Sequence, residues 1–397
     1  MFDFDQPFDR TKSLSEKWDP AVLMQKFSRS DVLPFWIADM DFAASPAIIE
    51  RLSERTQQGT FGYETTPLSL IDAIVQWNAD RHNWMIPTES LCFTAGTMHA
   101  IAQMLQAFTQ RGDGVVIQPP VYFQFESAIR NTDRKVVSNP LRLTDGRYQM
   151  DFEDLEQKAA QPATKVLLLC NPHNPVGRVW AVEELQQVAE ICGRHNVLVI
   201  TDEVHADFVF SEHTYTPFSS LSPEVAQRSI SCLSPAKAFN IPSIATRFAV
   251  IPNTELRAAF VSQSSKSLLN HVDAFSAVAT QAAYGEKSTE WLKAAIEYVQ
   301  RKADILCEAV DKRIPGVNVI RPEGTFLAWL DFRQLGLSAA QLETFLVHDA
   351  GIALKVGHSF GPEGDGFARM SIACSRTLLE TAISQLEQAV ARLNQQQ

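Results

Sequence analysis

Four short apolar runs in this chain each end in residues able to do chemistry. Lys165–Cys170 leads into Asn171-Pro-His-Asn174-Pro-Val-Gly177, and Val197–Thr201 into Asp202-Glu203-Val-His205. Ser229–Leu233 leads into Ser234-Pro-Ala-Lys237, and Ser90–Thr94 into Ala95-Gly96-Thr97. The Lys237 amine can form a Schiff base with a carbonyl compound. Asp202 puts a fixed negative charge at the end of a hydrophobic run. Gly96 and Thr97, opening a helix, offer backbone N–H groups and the positive end of its dipole to an anion, typically phosphate. Ser234 adds a hydroxyl.

An amine, a carboxylate and a phosphate cradle are the three things pyridoxal 5′-phosphate (PLP) requires of a protein. The aldehyde takes the amine, the phosphate is anchored, and the pyridine nitrogen needs an acidic partner. A carboxylate about 4 Å from a pyridinium is worth roughly 4 kcal/mol at an effective dielectric near 20. That is about 3 pKa units in favour of the protonated ring, the form that withdraws electrons. Each residue alone has an ordinary structural use. An isolated lysine is most often solvated, and an Asp after a strand is as often a cap or turn residue. Asn-Pro pairs punctuate turns, and Tyr122, in Pro119-Pro120-Val121-Tyr122, is more often packing than a platform for a ring. Their joint order along the chain is what points to one site.

The elements that must position these residues follow from the pattern around them. Between about 90 and 250, β-rich runs alternate with amphipathic stretches, the signature of an α/β domain with a mostly parallel sheet. Strands are expected at Ser90–Thr94, Gly114–Gln118, Lys165–Cys170, Val197–Thr201, Ser229–Leu233 and Arg247–Ile251, with helices at Met98–Gln110 and Val182–His195. Open sheets of this kind bind ligands at the carboxyl ends of their strands. Beyond about residue 286, a long helix, Ser288–Lys312, gives way to shorter mixed elements and a last helix, Arg376–Asn394. The expected division is an N-terminal segment (1–46) packing with a small domain, a large cofactor-binding domain (47–285) and a small α+β domain (286–397).

The chain has 397 residues, 45% of them hydrophobic and 20% charged, enough apolar material for two cores. A net charge of −11 disfavours nucleic acid and anionic membrane as partners. The acidic start, MFDFDQPFDR, lacks the basic and apolar regions of a secretory signal. Runs such as 166–170 and 197–200 are too short to span a bilayer. Six cysteines with no CxxC pair and no histidine-flanked cluster read as buried small hydrophobes in a reducing cytoplasm. No metal site is expected.

At these residues the chain resembles the fold-type I PLP enzymes of the aspartate aminotransferase superfamily, over nearly its whole length. NPHNPVGR (171–178), TDEVH (201–205), SPAKAFN (234–240) and ARMSIA (368–373) look like that superfamily's successive signatures. Within it, LPFWIADMDF (33–42), FGYE (61–64), His205-Ala-Asp207 and the AFNIP after Lys237 are most similar to the MalY/PatB-type cystathionine β-lyases. The resemblance implies a seven-stranded, mostly parallel sheet flanked by helices, a smaller α+β domain and a homodimer. It implies that Lys237 is the Schiff-base lysine and proton carrier and that Asp202 pairs with the pyridine nitrogen. Asn174 would hydrogen-bond the ring hydroxyl, Tyr122 would stack on the ring and take part in catalysis, and His205 would lie at the cofactor. Gly96, Thr97 and Ser234 would hold the phosphate, with Tyr63 reaching it from the neighbouring subunit. Arg369 would clamp the substrate α-carboxylate bidentately, with Ala38 and Asp39 of the WIADMDF segment also at the substrate.

Two departures from the superfamily's pattern matter. His205 stands where many aminotransferases carry a tyrosine, as in the lyase subgroup. Ala245 stands where many carry a phosphate-binding arginine, and Arg247, two further on, is left unassigned. The reaction implied is α,β-elimination from L-cystathionine or another cysteine S-conjugate, giving a thiol, pyruvate and ammonia. An aminotransferase shares the early chemistry and stays open as a rival. So does an added regulatory role through protein contacts, which the resemblance alone suggests.

Overall fold

Alternation of strand and helix through the middle of the chain builds one sheet that carries all the strand ends singled out above. The structure is a computed structural model describing residues 2–6, 8–268 and 272–396. The larger sheet has seven strands: β1 Leu91–Thr94, β2 Gly114–Ile117, β3 Lys135–Ser138, β4 Thr164–Cys170, β5 Leu198–Asp202, β6 Ser229–Leu233 and β7 Arg247–Val250. Their spatial order is β1-β7-β6-β5-β4-β2-β3. Six run parallel, and β7 is antiparallel to both its neighbours.

Strands β2, β4, β5 and β6 are buried almost end to end, as befits parallel strands covered on both faces. That is why they read as continuous apolar runs. Strand β3 was not foreseen: it lies at the sheet edge, starts with an exposed lysine and is nowhere fully buried, so it lacks such a run. Element ends differ from expectation by one or two residues. The difference that matters is at Asp202, which belongs to β5, registered between Cys170 of β4 and Cys232 of β6. Two neighbouring strands hold its backbone.

Helix α1, Thr97–Phe108, follows β1, and α2, Val182–Arg194, links β4 to β5. Past the sheet come the long helix α3, Glu286–Arg313, and a second, antiparallel sheet. It contains β8 Asn318–Ile320, β9 Leu327–Asp331, β10 Lys355–Val356 and β11 Phe367–Ser371, in the order β8-β9-β11-β10. The last helix, α4, spans Arg376–Gln396. The N-terminal segment is stitched to the C-terminal part, Leu33 and Pro34 pairing in parallel with Ile352 and Ala353. Phe35, Met40 and Phe42 join an apolar cluster with Trp291 and Leu292 of α3 and Leu330 of β9. Segment 33–42 is thereby pinned between the two sheets. All six cysteines are buried and free. Among the described residues no helix is long and apolar enough to cross a membrane, and no group of three or more His, Cys, Asp or Glu is placed to hold a metal ion.

Candidate active site

The carboxyl ends of β1, β4, β5 and β6 open onto one cavity of about 610 Å³, closed on its far side by β11 and segment 36–38. Gly96, Asn174, Asp202, Ser234, Lys237 and Arg369 all line it, as do Thr97, Tyr122, His205 and Ala38. A second hollow, about 700 Å³ around Arg194 and Arg228, lies at the amino ends of β5 and β6 and holds none of these groups.

Lys237 follows β6, and its Nζ donates to the carbonyl of Ala38 at 2.8 Å. Burial pushes its pKa down to about 8, and the nearby Arg369 charge pushes the same way, against Asp39 and Asp202. At pH 7 roughly a tenth of the amine is therefore unprotonated, far more than for an ordinary lysine, and that is the form a nucleophile or base requires. Asp202, 6% exposed, accepts one backbone hydrogen bond, from Val204 at 3.2 Å. Burial raises its pKa to about 6, opposed by that hydrogen bond and by Lys237. A carboxylate so placed calls for a cationic partner in the cavity.

Arg369 sits on β11, buried and without a carboxylate partner among the described residues. Its guanidinium donates to the Trp36 carbonyl at 2.9 Å and to Asn174 Oδ1 at 3.1 Å. Its Nε is buried with no partner, and burial lowers its pKa to about 10. An unpaired buried charge is costly, so this site is built to receive an anion. Asn174 spends its oxygen on Arg369.

At the phosphate end, Gly96 is the N-cap of α1 and Thr97 its first residue, so the first N–H groups of a 12-residue helix face the cavity wall. Ser234 lies beside them, its hydroxyl donating to the Thr246 carbonyl at 2.9 Å. Arg247 also lines the cavity. Because β7 runs antiparallel, its first residue lies at the edge where its neighbours end, which the sequence did not reveal. Tyr122 is half-buried at the rim, its hydroxyl donating to Gln124 at 2.8 Å, and burial raises its pKa to about 12. His205 is buried with an unpartnered Nδ1, edge-on to Phe326, and burial holds its pKa down to about 3, so the ring is neutral.

Two expected residues lie elsewhere. Asp39 does not line the cavity but pairs with Arg10 at 2.6 Å and Lys17 at 3.4 Å. Asp41 is held by the same two cations, at 2.9 and 2.6 Å, and by the Trp18 indole N–H at 2.7 Å. Burial demands pairing, and the N-terminal residues supply it. Tyr63 is fully exposed and touches no part of the cavity.

Parts of the quoted motifs have structural uses. Asp207 takes the indole N–H of Trp77 at 2.9 Å and pairs with Arg81 and His82, anchoring a helix. Arg178 pairs with Glu323 and Glu184 and binds the Tyr148 carbonyl, while His173 bonds to the Pro120 carbonyl. Asn240 went unremarked in the sequence. Its amide donates to the carbonyls of Met40 at 3.1 Å and Phe42 at 2.9 Å and accepts from the Met40 N–H at 3.0 Å, tying segment 38–42 to the Lys237 turn. Its only signal was its place in the AFNIP run.

Residues 30–386 match the family described as aminotransferase class I and II. The chain is 38% identical to cystathionine β-lyase PatB of Bacillus subtilis, over 98% of this chain and all of PatB. It is 33% identical to protein MalY of Escherichia coli, over 98% and 99% of the two chains. Among solved structures it is similar to cystalysin of Treponema denticola, which contains a pyridoxal 5′-phosphate cofactor, with a TM-score of 0.95, 31% identity and coverage of 99% and 100%.

Proposed function

Because this chain belongs to the aminotransferase class I and II family, we propose that it is a PLP-dependent carbon–sulfur lyase that cleaves L-cystathionine or related cysteine S-conjugates. The observation carrying this reading is that Lys237, Asp202 and the unpaired Arg369 line one cavity. Those residues fit the cofactor, since a buried carboxylate raised to about 6 forms no ion pair among the described residues and a buried amine lines the same cavity. Lys237 is the residue of attachment, Asp202 the partner of the ring nitrogen and Asn174 that of the ring hydroxyl. Gly96, Thr97 and Ser234 hold the phosphate, Tyr122 stacks on the ring and His205 packs at the cofactor. Bound there, PLP supplies an aldehyde to the substrate amine and a cationic ring that accepts the electron pair released at Cα.

The chain's own residues do the rest. Arg369 takes the substrate α-carboxylate and fixes the Cα–H bond relative to Lys237. Lys237 removes the Cα proton, and the β-thiolate departs and is protonated to the thiol. Addition of one water to the remaining three-carbon fragment gives pyruvate and ammonium, so the sum is thioether plus water to thiol, pyruvate and ammonium. The Ala38 carbonyl, a hydrogen-bond acceptor, holds the Lys237 amine in place between steps.

A homodimer completes this reading. Phe61, Tyr63 and Leu68 form an exposed apolar stretch at 59%, 110% and 76% exposure, the kind of surface a partner covers. In the dimer Tyr63 reaches the phosphate of the neighbouring site. Free buried cysteines suit the cytoplasm, the compartment we assign.

The test is direct. Purified protein should carry the cofactor's visible absorbance and release pyruvate from cystathionine with no keto acid added. Lys237→Ala should abolish both; a variant retaining either would refute the assignment. Strict dependence on a keto acid would mark an aminotransferase.

A further inference from the structure

The outer part of the cavity holds cations that the proposed elimination does not use. Lys355 on β10 is registered directly opposite Arg369 on β11, so the two side chains leave the same face of the sheet. Directly opposed residues have Cβ atoms about 5 Å apart, and like charges in such a pair repel. Both line the cavity, and so does Lys26 from the helix Pro20–Phe27. Neither lysine forms a hydrogen bond or ion pair among the described residues. Lys355 rests over the Phe123 ring and Lys26 over the Trp36 ring, each at 4.9 Å. Burial, Arg369 and Lys26 all act to lower the Lys355 pKa, and Glu343 alone opposes them. Glu16, exposed, is the acid at this mouth.

Trp36 carries a second, independent sign of a ligand. It is 8% exposed and lines the cavity, yet its indole N–H is buried without a partner. A buried donor left unsatisfied costs stability unless something accepts from it. Three positive side chains and an orphan donor therefore surround one end of a cavity in which the substrate α-carboxylate can neutralise only one charge.

We propose that Lys355, supported by Lys26 and the Trp36 indole, forms a subsite for a second carboxylate, carried on the thiol half of the substrate. The preferred substrates are thus cysteine thioethers whose leaving thiol is acidic at its far end, rather than simple S-alkyl cysteines. This rests on the lyase reading for the reaction but not for the binding. Lys355 is a specificity residue here, not a catalytic one.

Two amino acids without a β-leaving group isolate the binding. L-2-Aminoadipate has the shape of S-carboxymethyl-L-cysteine, and L-norleucine replaces its distal carboxylate by a methyl. Titrated into the holoenzyme and followed through the cofactor absorbance, aminoadipate should bind about tenfold more tightly. Lys355→Met should erase that preference and Lys355→Arg should keep it. Equal affinities in the unmodified protein, or a preference that survives Lys355→Met, overturn the proposal. Pyruvate release from S-carboxymethyl-L-cysteine against S-ethyl-L-cysteine is then the second readout. Pyruvate from neither, with the binding preference intact, would remove the lyase while supporting the subsite.

Discussion

Burial holds Asp202 at a pKa of about 6, against 3.8 for an ordinary aspartate, so the folded protein binds this proton more tightly than the unfolded chain. The stability that follows is complete below the lower value and is lost as pH rises through the upper one. At neutral pH the cost comes to roughly 3 kcal/mol for the cofactor-free protein. Asp202→Asn should therefore raise the melting temperature of the cofactor-free protein at neutral pH and flatten its dependence between pH 4 and 7, while weakening cofactor retention. A variant that melts no higher, with cofactor affinity unchanged, would take Asp202 out of this role. Arg369 lends itself to a kinetic test. Arg369→Lys keeps the charge but loses the planar fork and two hydrogen bonds worth about 1.5–3 kcal/mol to a charged partner. The expected outcome is a rise in KM of about tenfold to a hundredfold, measured with any S-conjugate the enzyme cleaves. An unchanged KM would mean that the substrate carboxylate binds elsewhere.

Segment 36–42 is the element on which the site depends most visibly. It provides the carbonyl that holds Lys237, the carbonyl that holds Arg369 and two acids clamped by Arg10 and Lys17. Asn240, at φ +56°, joins it to the Lys237 turn. Asn240→Ala removes three hydrogen bonds and puts a strained backbone on alanine, a loss of about 1–3 kcal/mol. It should lower the melting temperature and depress kcat more than KM, because Lys237 loses its setting while Arg369 keeps its own. Asn240→Gly, which relieves the backbone but not the bonds, should do the same. A glycine variant with full kcat would show that the turn alone matters. The HxD motif divides in its duties: His205 faces the cavity, whereas Asp207 secures the helix Leu68–His82 through Trp77, Arg81 and His82. Asp207→Ala leaves the buried Trp77 indole N–H and the half-buried His82 ring without their acceptor, while Arg81 keeps the Asp207 carbonyl, and should cost about 1–3 kcal/mol. Denaturant unfolding reads that loss, and KM in the surviving fold should not move.

At the scale of the whole molecule, the proposed dimer makes Tyr63 of one subunit serve the site of the other. Refolded mixtures of Tyr63→Ala and Lys237→Ala protein should regain activity that neither has alone, since each hybrid dimer holds one intact site. No recovery would mean that Tyr63 does not serve the neighbouring subunit's site. Much of this architecture was legible in the chain. Buried parallel strands are necessarily apolar from end to end, so β2, β4, β5 and β6 declared themselves, and the strand ends then ordered Gly96, Asn174, Asp202, Ser234 and Lys237 along one edge. Edge strand β3 did not, because a half-exposed strand carries no such run. The local rule that open sheets bind at their carboxyl edge says nothing of residues arriving from the other sheet or from an antiparallel strand. Hence Arg247 went unassigned, Lys355 went unread and Asp39 was placed at the substrate when it belongs to an ion-pair cluster. Which residues gather along one strand edge was written in the sequence, since strand burial and turn chemistry are set by near neighbours. What encloses them depends on contacts between residues some two hundred positions or more apart, as between Ala38 and Lys237 or Trp36 and Arg369, and only the folded chain could decide those.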